Sequence, residues 1–214
     1  VAAGVYDIVL AVGAEKLKDT GYSGLPQTRP VATWSYRLTT QTPAAGFAMM
    51  ATGYFAKYGL SFEEGKRLLA QIAVKNHYNG SLNPKAHFQR EITLEQAINA
   101  PMIAYPLGLY DCCGVSDGAA AAVICRADMA KDFRSDPIYI KAATICQGGR
   151  EGWLSQVYDL AHVEETYRGG LAAYKEAGIK EPRKEISIAE VHDCFSITEL
   201  TIMEDLGFSP RGRV

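Results

Sequence analysis

The chain has 214 residues, 48% of them hydrophobic and 21% charged, with a formal net charge of −2. That is length enough for one large domain or two small ones with a real core. The charge balance gives no electrostatic basis for binding nucleic acid or an anionic membrane, and the longest apolar run, Ala119–Cys125, is far short of the roughly 20 residues that span a bilayer. The five cysteines contain no CxxC pair and the four histidines are scattered, so no metal site is expected. The thiols read as reduced, which suits a cytosol-like compartment.

Val1–Gly4 reads as the last turn of a helix. Tyr6–Gly13 is a near-continuous apolar run and predicts a strand covered on both faces, as in parallel sheets. Glu15 at its end is either a site residue or a charge at a sheet edge. Lys18 to Pro43 is rich in Gly, Pro, Ser and Thr and reads as a long loop, functional or interfacial. Its Tyr22, Trp34 and Tyr36 either cover a pocket or anchor a subunit contact. Ala44–Tyr58 predicts a helix that Gly59 ends. Ser61 and Glu64 form a capping box for a second helix, which runs through Leu68, Leu69, Ile72 and Val74 and stops near Asn79–Gly80. The turn-rich stretch from Asn76 to Phe88 holds His77 and His87. It is either a plain polar loop or a contact for a phosphate-bearing substrate. A short helix opens at Ile92–Glu95 and ends by Pro101. A glycine-punctuated loop, Tyr105–Gly118, then leads into an alanine-rich strand, Ala119–Cys125.

Ile138–Cys146 predicts a further strand, after a polar segment that marks a boundary between two halves. His162–Gly178 predicts a helix in which Gly169 and Gly170 each cost on the order of 1 kcal/mol relative to Ala. Close packing is therefore expected there. The segment Glu185–Leu206 reads as strand, polar corner and amphipathic helix, stopped by Gly207. Its corner, His192-Asp193-Cys194-Phe195, places an imidazole at a strand's carboxyl end, the edge at which open α/β folds bind ligands. Asp193 is expected to cap the following helix. The alternation of strands and helices here says α/β.

Three segments together carry a resemblance: Ala2–Asp19 (AAGVYDIVLAVGAEKLKD), Leu109–Asp128 (LYDCCGVSDGAAAAVICRAD) and Glu190–Leu200 (EVHDCFSITEL). With Asn76–Phe88 (NHYNGSLNPKAHF), which also looks like this group, they resemble the thiolase superfamily, most closely the sterol-carrier-protein type. The resemblance covers nearly the whole chain. It implies an α/β thiolase fold, with duplicated βαβαβαββ halves and an inserted loop domain, incomplete at both ends. Residues 1–17 and 105–130 would close the first half, 18–104 would form the loop domain, and 137–214 would begin the second half.

What the resemblance implies for function is acyl transfer on acyl-CoA thioesters, by Claisen condensation or thiolytic cleavage. The alternatives are a thiolase-fold aldolase and a non-catalytic CoA-binding subunit working with a DUF35/OB-fold partner. His192 matches the family position that donates to the thioester oxyanion. Cys113 and Gly114 match the loop that lies against pantetheine, and Tyr110, Phe195 and His77 are the further substrate contacts implied. Coenzyme A or acyl-CoA enters as substrate, with no covalently bound cofactor. The family's nucleophilic cysteine lies upstream of Val1 and its last two motifs beyond Val214, so this segment alone is expected to be inactive. A Cys194–His192 nucleophilic pair is disfavoured. A homodimer or homotetramer, a DUF35/OB-fold protein or a synthase subunit are the implied partners. The implied compartment is the cytoplasm, or the peroxisome in a eukaryote.

Overall fold

The computed structural model describes residues 1–18, 42–148 and 160–213. The elements are β1 (Ile8–Glu15), α1 (Pro43–Tyr58), α2 (Phe62–Leu82), α3 (Leu94–Ile98), β2 (Met102–Ala104), β3 (Leu107–Gly108), a 3-10 turn (Leu109–Asp111), β4 (Gly118–Cys125), α4 (Ala130–Phe133), α5 (Glu164–Ala177), α6 (Pro182–Glu185) and α7 (Ser196–Asp205). They fall into two compact units. One is Val1–Thr28 with Val115–Lys141; the other is Arg29–Gly114 with Ala142–Val214.

The first unit is built on one ribbon. β1 and β4 pair antiparallel in unbroken register, from Ile8 opposite Cys125 to Glu15 opposite Gly118. This corrects the expectation of a doubly covered strand of parallel type. An apolar run shows only that a strand could be buried on both faces. Here Leu10, Val12 and Val123 are exposed, and β4 is the only strand hydrogen-bonded to β1 among the described residues. The alanines of β4 face small residues of β1, Ala11 opposite Ala122 and Ala14 opposite Ala119, except where Val12 stands opposite Ala121. Past the ribbon end, the Arg126 amide donates to the Asp7 carbonyl at 3.1 Å, and the Arg126 guanidinium reaches the Asp7 and Asp128 carboxylates.

The second unit is helical, and its helix ends follow the sequence closely. Thr42 accepts the Ala45 amide at 3.3 Å and Pro43 opens α1, where its missing N–H costs nothing. Gly59 closes α1 at φ 66°, a left-handed geometry that favours glycine. The Ser61/Glu64 capping box of α2 forms in both directions. A second box, Thr93 with Gln96, starts α3. α2 continues past the expected stop at Asn79–Gly80 as far as Leu82. Gly80 lies inside the helix at a point with no room for a side chain, the Phe88 carbonyl oxygen standing 2.7 Å from where a Cβ would be. In α5, a Cβ on Gly170 would meet Leu206 Cδ2 at 2.6 Å, so the glycine admits a close approach, as its helix-interior cost implied.

The core gathers α1, α2, β3 and α7, with Tyr54, Leu69, Leu107, Ile197 and Leu200 fully buried. α7 is not the amphipathic surface helix that its spacing suggests: nine of its ten residues are buried. Its acids are paired. Glu204 accepts from the Tyr54 hydroxyl and the Gly212 amide, each at 2.6 Å. Asp205 accepts the Val163 amide at 2.7 Å and pairs with Arg211 at 2.7 Å. Glu199 meets Lys75 and Asn76.

The runs 138–146 and 186–191, read as strands from sequence, belong to no strand. A strand is completed by a neighbour's ladder, and none pairs with either run among the described residues. Their apolar side chains stand open, Ile145 fully and Ile188 at 81%.

Candidate active-site cleft

One face of α2 sets the position of the site. Lys66, Leu69, Ala70, Ala73, Asn76, His77 and Gly80 recur at steps of three and four and share one stripe. Leu69 and Ala70 face the core, while Ala73, Asn76, His77 and Gly80 line a cleft of about 940 Å³. The opposite wall is the run Leu109–Gly114, and the loop through Phe88 and Arg90 closes a third side. Asp193, from the polar corner, reaches the cleft as well.

The two walls are joined by backbone. Cys112 and Phe195 form an antiparallel β-bridge, and the Cys113 amide donates to the Cys194 carbonyl at 3.0 Å. The loop that precedes β4 and the corner that precedes α7 therefore meet as neighbours, although some 80 residues separate them.

A buried ion pair, Lys66 with Asp111, fastens the Leu109–Gly114 run to α2. Asp111 also accepts the Gly108 amide at 2.7 Å. Both side chains are almost wholly enclosed, Lys66 at 2% exposure and Asp111 at 1%. At the other end, Asn76 Nδ2 donates to Asp193 at 2.6 Å and to Glu199 at 2.8 Å, bridging two carboxylates. Burial pushes the Asp193 carboxyl above its ordinary range; Asn76, Lys75 and His192 act in the opposite direction. Asp193 thus does not cap α7. The N-cap residue is Phe195, which has no side-chain cap bond, and the Asp193 carboxylate is engaged by α2 instead.

The site residues expected from sequence divide in two. His77, Tyr110, Cys113 and Gly114 come together in the cleft. The His77 and Tyr110 rings meet edge to face with centroids 5.4 Å apart, and His77 Nδ1 lies 3.0 Å from the Arg90 carbonyl. Phe195 belongs to the core, its ring stacked on Phe47 at 4.5 Å, and contributes its backbone to the bridge. His192 is exposed and adjoins Asp193 without lining the cleft. The aromatic group Tyr22, Trp34 and Tyr36 lies outside the described residues.

The thiols here are poor nucleophiles. Burial, with Asp111 beside it, pushes Cys112 up to about 11. Burial also raises Cys113 and Cys194, and the Cys194 sulfur pairs with the Thr198 hydroxyl at 3.4 Å. All five cysteines are free. Among the described residues, no group of three or more His, Cys, Asp or Glu is placed to hold a metal ion, and no helix is long and apolar enough to cross a membrane.

Lys66, Asp111, Asn76 and Arg90 were not singled out from sequence. For two of them a signal was present: Lys66 and Asn76 sit on the apolar stripe of α2, where a polar residue needs a partner.

An α/β chain with this loop-to-corner junction matches a known family along most of its length. Residues 1–128 match the description "Thiolase, N-terminal domain", and residues 147–214 match "Thiolase C-terminal domain-like". The chain belongs to the thiolase family. It is 38% identical to an acetyl-CoA acetyltransferase of Methanothermobacter thermautotrophicus, over 99% of this chain and 53% of that protein. It is 32% identical to the benzoylsuccinyl-CoA thiolase subunit BbsB of Thauera aromatica, with the same coverage. The solved Ltp2-ChsH2(DUF35) aldolase superposes with a TM-score of 0.81 at 28% identity, over 99% of this chain and 54% of that one. The thiolase-like fold is thus established, and the chain spans about half the length of the curated relatives it matches.

Proposed function

We propose that the whole protein is a thiolase-type acyltransferase acting on acyl-CoA thioesters. The observation that carries this reading is the junction of Cys112–Cys113 with Cys194–Phe195 at the wall of the cleft. It brings together the two segments that the family uses for thioester contact and oxyanion stabilisation. In this reading the thioester runs along Tyr110, Cys113 and Gly114, with His77 across from them. His192, exposed beside Asp193 and outside this lining, is the residue that the family resemblance makes the donor to the carbonyl oxygen. The acyl group is carried, as the family resemblance implies, by a cysteine outside Val1–Val214; burial raises the thiols of Cys112, Cys113 and Cys194. The family resemblance extends the proposal to a homodimer or homotetramer working in the cytoplasm, or in the peroxisome of a eukaryote.

In the whole protein, His192→Ala is expected to lower kcat for acetoacetyl-CoA thiolysis by about 10²–10³, the usual cost of one oxyanion donor. CoA affinity should change much less. Unchanged turnover would remove His192 from the chemistry.

A second reading is favoured by the likeness to the DUF35-containing aldolase. It keeps the cleft but replaces thiolysis by retro-aldol cleavage of a β-hydroxyacyl-CoA, with a DUF35/OB-fold partner bound. Cleavage of such a thioester only when that partner is added, with no thiolysis of acetoacetyl-CoA, would select it.

A further inference from the structure

Cys112, Cys113 and Cys194 meet at the seam between the loop and the corner, and they are not equivalent. In the antiparallel bridge Cys112 stands opposite Phe195. The next pair along is therefore Cys113 with Cys194, and the Cys113 amide donates to the Cys194 carbonyl at 3.0 Å. Residues paired across such a bond have Cα atoms about 5.5 Å apart, with their side chains on one face. A disulfide spans Cα separations of about 4.4–6.8 Å. Cys112 is engaged elsewhere: its thiol donates to the Gly108 carbonyl at 3.5 Å, on its own loop, and its bridge partner is an aromatic residue of the core.

Access differs between the two paired thiols. Cys113 is exposed and lines the cleft, whereas Cys194 is partly buried beside the Thr198 hydroxyl. We propose that Cys113 and Cys194 are a redox modification site, at which a low-molecular-weight disulfide oxidises the pair to a disulfide bond across the seam. The Cys113 thiolate attacks one sulfur of the small disulfide, forming a mixed disulfide and releasing one small thiolate. The Cys194 thiol then gives its proton to solvent and attacks the Cys113 sulfur. That closes the Cys113–Cys194 bond and releases the second small thiolate. The two protein thiols lose two electrons and two protons, and the small disulfide leaves as two thiols. Burial raises both protein thiols, so the first attack is slow at neutral pH. The second is favoured by the pairing across the seam. The bond ties the Leu109–Gly114 wall to the corner and removes the Cys113 thiol from the cleft. This site does not depend on the thioester-binding reading.

Glutathione disulfide is the probe. The reduced whole protein is equilibrated in glutathione buffers of graded oxidation, quenched in acid, alkylated, digested without reduction and mapped by mass spectrometry. A peptide pair linked through Cys113 and Cys194 is expected. It should persist in Cys112→Ser, disappear in Cys113→Ser and in Cys194→Ser, and be lost on adding dithiothreitol. Its equilibrium constant should be at least about tenfold larger in the folded protein than in urea, because the fold raises the effective concentration of one thiol at the other. A link through Cys112 in place of Cys113 would overturn the proposal, as would glutathione held on Cys113 with no linked pair. Equal constants in the folded protein and in urea would overturn it too, and so would no reaction at either residue. The bond is mapped in the wild-type protein, so the outcome does not hang on the folding of the serine variants.

Discussion

The β1–β4 ribbon and helix α7 invert the usual relation between residue type and burial. The ribbon carries the most continuous apolar sequence in the chain, yet Val123 is 70% exposed and Leu10 and Val12 nearly as open. α7 carries Glu199, Glu204 and Asp205 within ten residues, and none of the three is more than 5% exposed. Apolar pattern states what a segment could bury, whereas burial itself depends on what lies next to it. A buried charge is tolerated only where hydrogen-bond partners replace the water it has lost, and each acid of α7 has such partners.

That contrast predicts large effects where a buried charge loses its partner and small ones on the ribbon. The largest should come from Lys66→Met. It leaves Asp111 enclosed with only the Gly108 amide to compensate it, and should cost about 3–5 kcal/mol in urea unfolding. A loss near zero would mean that the pair contributes nothing to stability.

Next is Gly65→Ala on α2. Alanine gains up to about 1 kcal/mol of helix propensity, but its Cβ would stand 2.3 Å from the Phe55 ring, which is buried and cannot swing away. Overpacking costs about 1–3 kcal/mol, so the thermal midpoint should fall. A rise would show that the core yields there.

A smaller, pH-dependent effect is expected from Asp193→Asn. Burial raises the folded-state pKa of this carboxyl above its unfolded value. The stability it contributes is therefore full below the unfolded pKa and is lost as pH rises through the folded one. The amide keeps an oxygen for Asn76 without carrying charge. The variant should gain stability over wild type at neutral pH, and the gain should vanish in acid below the ordinary carboxylate range. A gain that is flat with pH would assign the effect to packing.

Last comes Arg126→Ala at the end of the ribbon. Its ion pairs are open to solvent, where screening and side-chain entropy cancel most of the attraction. No measurable shift in the unfolding midpoint is expected, and a clear loss would break the comparison.

Much of the helical unit was legible in sequence because its signals are local. Ser61 with Glu64, Gly59 and Gly178 each fix a helix end through the few residues around them. Gly170 announced a close approach through the cost of a glycine inside a helix, and Leu206 is what approaches. The runs 138–146 and 186–191 were misread as strands because a strand is defined by a partner elsewhere in space. The cap expected of Asp193 failed for a related reason: Asn76, more than a hundred residues away, competes for that carboxylate. At the site, the chemistry-bearing loop and corner could be found by resemblance, but the Lys66–Asp111 fastening and the placement of Phe88 depend on three-dimensional neighbours.

The Cys113 amide, held by the Cys194 carbonyl at 3.0 Å, has a consequence for observing this molecule at work. A single backbone proton sits across the seam between two distant stretches of chain. Its exchange with deuterium requires that the seam part, even briefly. The exchange rate of that one proton would thus report how often the loop and the corner separate, and whether a bound thioester slows it.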